Sequence, residues 1–241
     1  MALKAVANGI FAETYGSWPP QVVALHGWGR RGSDFDHVLA GLDAVAIDLP
    51  GFGASPPPAE PTGARGYAEL LAAFIDELPA PPLLVGHSFG GRVALCLAAS
   101  GRGRALVLTG VPLIRKTAVS RPPVGFRLLR WANRIGLVSD QRMEAERRRR
   151  GSADYRAANG VMRDVLVAAV HESYEPELAR IGVPVTMVWG ADDTEVPVAV
   201  AEAAHAVLDG AELTVLEGIG HFVPTSAPEA LRAAIEARIR P

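Results

Sequence analysis

Leu83-Leu84-Val85-Gly86-His87-Ser88-Phe89-Gly90-Gly91-Arg92-Val93-Ala94 is the stretch from which the rest of the chain can be read. A short apolar run, Leu83–Val85, passes into Gly86-His87-Ser88-Phe89-Gly90 and then into a helix-like run, Gly91–Ala99. A strand that becomes a helix through so sharp a turn strains the backbone of its central residue. Side chains two residues to either side would collide, and glycine at both places removes their Cβ atoms. The turn lifts the Ser88 hydroxyl clear of the sheet, and the helix N-terminus behind it favours negative charge. Ser88 is therefore a candidate nucleophile. The competing reading, an inert serine in a tight-packing turn, is disfavoured by the strand–turn–helix setting and by the additional Gly91.

Similar apolar runs recur on both sides of this turn. Val22–Leu25 ends at His26-Gly27, and Ala44–Ile47 ends at Asp48-Leu49-Pro50-Gly51. Ala105–Leu108, Val185–Trp189 and Leu213–Leu216 follow, with helical patterns at Tyr67–Glu77, Gly90–Ser100, Val198–Leu208 and Pro228–Arg238. Runs without alternation suit strands buried on both faces, so the expectation is an α/β fold with a mostly parallel central sheet flanked by helices. Leu3–Tyr15 can add a hairpin turning at Asn8-Gly9. From Pro112 to about Pro176 the rhythm breaks and two helical stretches, Phe126–Ile135 and Val161–His171, appear. We read residues 1–111 and 177–241 as the core and 112–176 as a small helical cap inserted after the sixth strand.

Charge follows the same division. Between Pro112 and Arg180 there are 14 Arg and Lys against 8 Asp and Glu, whereas the rest of the chain has 10 against 18. A solvated helical surface accounts for the basic segment; attraction of anionic substrates by the summed field is the sharper reading. Arg147–Arg150 has no interleaved aromatics, so it reads as solvated surface and no nucleic-acid partner is expected. One cysteine excludes an intramolecular disulfide and a multi-cysteine metal site. Cys96, two turns beyond Ser88, reads as core. With no secretory pattern and no membrane-length apolar run, the expectation is a cytoplasmic protein with a small-molecule substrate, no membrane partner, no metal and no cofactor.

The Gly-His-Ser-x-Gly-Gly elbow, with the succession of strands around it, resembles the α/β-hydrolase superfamily, in particular small bacterial serine hydrolases with a lid after the sixth strand. The resemblance runs from Val22 to Arg238. It implies a Ser-Asp-His order along the chain. His221 stands in Gly218-Ile219-Gly220-His221-Phe222, which is similar to the family's catalytic-histidine loop. The acid of the family lies three residues after a glycine and four before a proline; in Gly190-Ala191-Asp192-Asp193-Thr194-Glu195-Val196-Pro197 that is Asp193. The other place relatives use for the acid reads Thr109-Gly110-Val111-Pro112, without a carboxylate. An oxyanion hole would come from the backbone N–H groups of Phe89 and of Trp28, the third residue of His26-Gly27-Trp28-Gly29. Trp28, Phe89 and Phe222 are candidate substrate contacts, and His26 reads as structural.

A serine nucleophile argues against the haloalkane dehalogenases and epoxide hydrolases of this superfamily, which use a carboxylate. Hydrolysis of a small carboxylic ester through an acyl-enzyme is the first expectation. A carbon–carbon hydrolase or lyase acting on a diketone or related carboxylate is the alternative, with Arg92 or Arg115 holding the carboxylate. A ligand receptor without catalysis is the remaining class. Arg127, Leu128, Trp131, Met162 and Leu166 are candidates to line the cavity from the cap, and the oligomeric state is not readable.

Overall fold

The central apolar runs assemble because each is buried on both faces, whereas Leu213–Leu216 lies at the sheet edge and stays largely exposed. In the computed structural model, which describes residues 2–7, 9–114, 124–150 and 152–239, eight strands form one sheet. They are β1 (Ala2–Ala7), β2 (Ile10–Tyr15), β3 (Val22–Leu25), β4 (Ala44–Ile47), β5 (Leu83–His87), β6 (Ala105–Thr109), β7 (Val185–Gly190) and β8 (Glu212–Leu216). Their order is β1-β2-β4-β3-β5-β6-β7-β8. From β4 to β8 every pairing is parallel, while the β1–β2 hairpin adds an antiparallel edge. Every residue of β3 to β7 is buried, which is why these strands carry no polar alternation.

The helices are α1 (Asp36–Leu39), α2 (Ala64–Asp76), α3 (Ser88–Ala99), α4 (Val124–Arg134), α5 (Asp140–Arg150), α6 (Ala153–Ala157), α7 (Gly160–His171), α8 (Glu175–Leu178), α9 (Val198–His205), α10 (Val223–Ser226) and α11 (Pro228–Ile239). One face of the sheet packs on Tyr67, Leu71, Val93, Leu97, Val200 and Ala204 of α2, α3 and α9. The other packs on Val38, Leu39, Val223, Leu231 and Ile235 of α1, α10 and α11. Cys96 lies in the first of these layers, and burial pushes its thiol up to about 12. The α/β architecture with a mostly parallel sheet is thus as the sequence implied. The α3 helix starts at Ser88, not Gly91, so the serine opens the helix.

Between β6 and β7 the chain forms α4 to α8, a helical insertion. Within α5, Arg148 pairs with Glu144 at 3.3 Å and Arg149 with Glu146 at 2.8 Å. Such intrahelical pairs on a wet surface stabilise little, and they account for part of the arginine run without a partner. Among the described residues no helix is long and apolar enough to cross a membrane. No group of His, Cys, Asp and Glu side chains among them could hold a metal ion. Asn8 and Arg115 lie outside the described residues, as does the side chain of Arg127.

Candidate active site

Ser88 stands where β5 ends and α3 begins, with φ of +50°, the only positive φ outside glycine among the described residues. That conformation costs about 1–3 kcal/mol and persists only because its surroundings impose it. Two glycines make room for it, though not by the clash the sequence suggested. A Cβ on Gly86 would strike the Gly90–Gly91 backbone, and one on Gly90 would strike the carbonyls of Leu25 and His26 at the end of β3. The Gly90 N–H donates to the His26 carbonyl at 3.0 Å, tying the elbow to that strand end.

His26 is buried, and its ring bridges two backbones. Its Nδ1 lies 2.7 Å from the Gly27 carbonyl, and its Nε2 accepts from the Leu49 N–H at 3.0 Å. Burial lowers its pKa to about 4, so it is a neutral structural ring at pH 7. Asp48 does similar work on the next loop, accepting from the Gly32 and Ala54 amides at 2.7 and 2.8 Å.

His221 is 7% exposed and sits between β8 and α10. Its Nδ1 lies 2.8 Å from Oδ2 of Asp193, which is 4% exposed. Oδ1 of Asp193 accepts from the Glu195 and Val196 amides at 2.9 and 2.8 Å. Burial alone would raise the Asp193 pKa, but the hydrogen bonds from His221 and Val196 outweigh it and the net shift is downward. The Trp189 indole, donating to the Val196 carbonyl at 2.8 Å, pins this loop to β7. Asp192 is exposed and Asp193 is not, so burial separates the two adjacent aspartates.

Two supports of His221 were not identified from the sequence. Gly110, at φ +60°, ends β6 against the imidazole, and a Cβ there would lie 2.9 Å from His221 Cε1. His87 places its Nε2 3.0 Å from the His221 carbonyl. Burial and the neighbouring His221 lower the His87 pKa to about 3, which keeps it a neutral hydrogen-bonding ring. The Glu195 carboxylate lies 3.5 Å from His221 Nε2.

Ser88, His221, Trp28, Phe222, Arg30, Ser152, Asp154 and Glu195 line one cleft of about 500 Å³. The Ser88 hydroxyl makes no hydrogen bond to another described residue. The Phe89 amide lies in the first turn of α3, where N–H groups have no intrahelical acceptor. Trp28 forms a corner of the turn closed by Arg30 N–H to the Gly27 carbonyl at 3.2 Å. Its ring stands edge-on to Phe52 and Phe89, and Phe222 stacks edge-on to His221.

A second hollow opens from the same serine. It is lined by Ser88, Phe89, Leu166, Ala169, Val170 and Val196, and Arg92 lies at its wall. Arg92 donates to the Ala169 carbonyl at 2.9 Å, while its buried Nε has no partner among the described residues. Of the cap candidates, Leu166 lines this hollow. Met162 instead packs on Gly51 and lies 3.9 Å from the Tyr67 hydroxyl. Leu128 and Trp131 are 60% and 59% exposed, because the apolar stripe of α4 faces outward.

Comparison with known proteins places this geometry. A sequence profile of the alpha/beta hydrolase family matches residues 22–234. The pimeloyl-[acyl-carrier protein] methyl ester esterase of Neisseria meningitidis serogroup C is 31% identical over 237 residues, covering 88% of this chain and 91% of that protein. The non-heme chloroperoxidase of Streptomyces lividans is 28% identical, with 94% and 95% covered. The crystal structure of a bromoperoxidase from Bacillus anthracis superposes with a TM-score of 0.72 at 19% identity, covering 100% of this chain and 99% of that one, and so shares the fold. With a match that spans the elbow, the Asp193 loop and the His221 loop, the chain belongs to the alpha/beta hydrolase family.

Proposed function

We propose that the enzyme hydrolyses carboxylic esters through an acyl-enzyme on Ser88, with His221 as base and Asp193 as its orienting acid. The observation that carries this reading is the buried His221–Asp193 pair, 2.8 Å apart, opening on the same cleft as the strained serine. Asp193 holds the Nδ1–H tautomer, which leaves Nε2 free to accept the serine proton. Ser88 Oγ attacks the ester carbonyl, and the amides of Trp28 and Phe89 receive the developing oxyanion. His221 then gives its proton to the leaving alkoxide, and the same imidazole activates water for deacylation. Residues 112–176 act as a cap over the cleft, contributing Ser152, Asp154 and Leu166 to its walls.

The relative named as a methyl ester esterase supports this chemistry at 31% identity. The test is turnover of p-nitrophenyl esters of graded acyl length. Activity is expected to vanish in Ser88→Ala, and turnover that survives this change overturns the assignment of the nucleophile.

Arg92 favours a second reading, carbon–carbon cleavage in a carboxylate-bearing diketone. Its guanidinium lines the hollow that reaches Ser88, where it suits a substrate carboxylate. Cleavage of a vinylogous diketone acid without ester turnover would establish this reading over the first.

A further inference from the structure

We propose that Glu195 makes this enzyme select esters by the charge of the leaving group, favouring cationic alcohols and disfavouring anionic ones. The inference rests on the ester-hydrolase reading and adds a specificity-determining residue to it. The argument begins at His221 Nε2, the nitrogen that must protonate the departing oxygen. A Glu195 carboxylate oxygen lies 3.5 Å from that nitrogen. An alcohol oxygen receiving the proton must therefore pass beside the carboxylate, with its substituent a few ångströms further out.

Glu195 is placed there by backbone geometry. Its own N–H donates to Asp193 Oδ1 at 2.9 Å, so the hydrogen bond that orders the acid also anchors the glutamate. The side chain is 58% exposed and has no Lys or Arg partner among the described residues.

The other charges lining this part of the cleft do not cancel it. Arg30 is engaged by Asp34 at 2.5 Å and lies over the Phe222 ring. Asp154, from α6, lines the same cleft and adds a second negative charge. Glu195 and Asp154 line both the cleft that holds His221, Arg30 and Phe222 and the adjoining hollow, whereas Arg92 lines only the latter. The approach to His221 is therefore acidic, with Arg30 already paired to Asp34.

Unit charges about 6 Å apart in a partly wet cleft, at an effective dielectric between that of water and that of a protein surface, change a rate about tenfold. The test uses two esters alike in size and shape, acetylcholine and 3,3-dimethylbutyl acetate, which differ in charge alone. The expected ratio of kcat/KM is about ten in favour of the cation, falling as NaCl is raised from 20 to 500 mM (about these limits) because salt screens an exposed carboxylate. Glu195→Gln brings the ratio toward one, and Glu195→Asp restores part of it. A wild-type ratio near one, or one that Glu195→Gln leaves unchanged, overturns the proposal.

The reading beneath it is checked separately. Loss of ester turnover in every substrate would refute ester hydrolysis. Selection by Glu195 would then be read from the rate at which Ser88 is phosphonylated by a pair of phosphonothioates, one with a thiocholine leaving group and one with its uncharged carbon isostere. Equal labelling rates overturn the proposal, and preference for the cation, lost in Glu195→Gln, upholds it.

Discussion

Replacing Asp193 by Asn removes one charge and reverses one hydrogen bond while leaving the shape of the side chain intact. Two of the three bonds that Asp193 accepts come from the Glu195 and Val196 amides at 2.9 and 2.8 Å, and an Asn carbonyl can still accept both. The Asn amide is then turned toward His221 Nδ1, now 2.8 Å from Oδ2. Facing a donor, Nδ1 must become an acceptor, and the ring proton moves to Nε2. That nitrogen can no longer take the proton of Ser88. Holding the wrong tautomer costs about 10⁴ in kcat, or about 5.5 kcal/mol of barrier. Stability should fall by only about 1 kcal/mol, since the backbone acceptors are kept. Asp193→Ala differs in kind, because it leaves two loop amides unpaired at about 1–3 kcal/mol each. The assay is p-nitrophenyl ester turnover beside urea unfolding of both variants. The pH dependence adds a second check. The folded-state pKa of Asp193 lies below its unfolded value near 3.8, so its contribution to stability is full above that value and is lost as the pH falls through the folded one. Asp193→Asn should lose that acid limb. A kcat within tenfold of wild type would refute the tautomer argument.

Ser88→Gly should abolish turnover and raise the unfolding free energy by about 1 kcal/mol, because glycine adopts φ of +50° without strain; a destabilised variant contradicts the strain. Gly110→Ala should lower kcat by about tenfold or more, as its Cβ lies 2.9 Å from the His221 ring and its φ is +60°; wild-type kinetics would show that the ring tolerates displacement. The His26 pKa is depressed to about 4 from 6.5 by burial, so the unfolded chain binds more protons between these values and stability falls as the pH drops through that window. Its share is about 3 kcal/mol, and between pH 7 and 4 (about these values) wild type should lose that much more unfolding free energy, read by urea titration, than His26→Asn; equal losses would remove the buried neutral ring from the account.

Much of the fold was legible because its signals are local. The runs Val22–Leu25, Ala44–Ile47 and Leu83–Val85 are apolar at every position, which only a strand covered on both faces requires, and all of them are buried. The strand-to-helix turn at Ser88 and the run of helices after β6 could likewise be read from residues adjacent in the chain, whereas the choice of Asp193 and His221 came from the resemblance to a family. What could not be read depends on atoms brought together from distant segments. Gly110 matters because β6 ends beside a ring 111 positions later in the chain, and no local pattern marks that. Leu128 and Trp131 resemble a cavity lining as an apolar stripe, but which way a stripe faces is set by what the rest of the insertion packs against. Glu195 has no sequence signature as a cleft residue. Its carboxylate reaches His221 because the loop holding Asp193 and the loop holding His221 close on one another, and the charge a substrate meets depends on that closure.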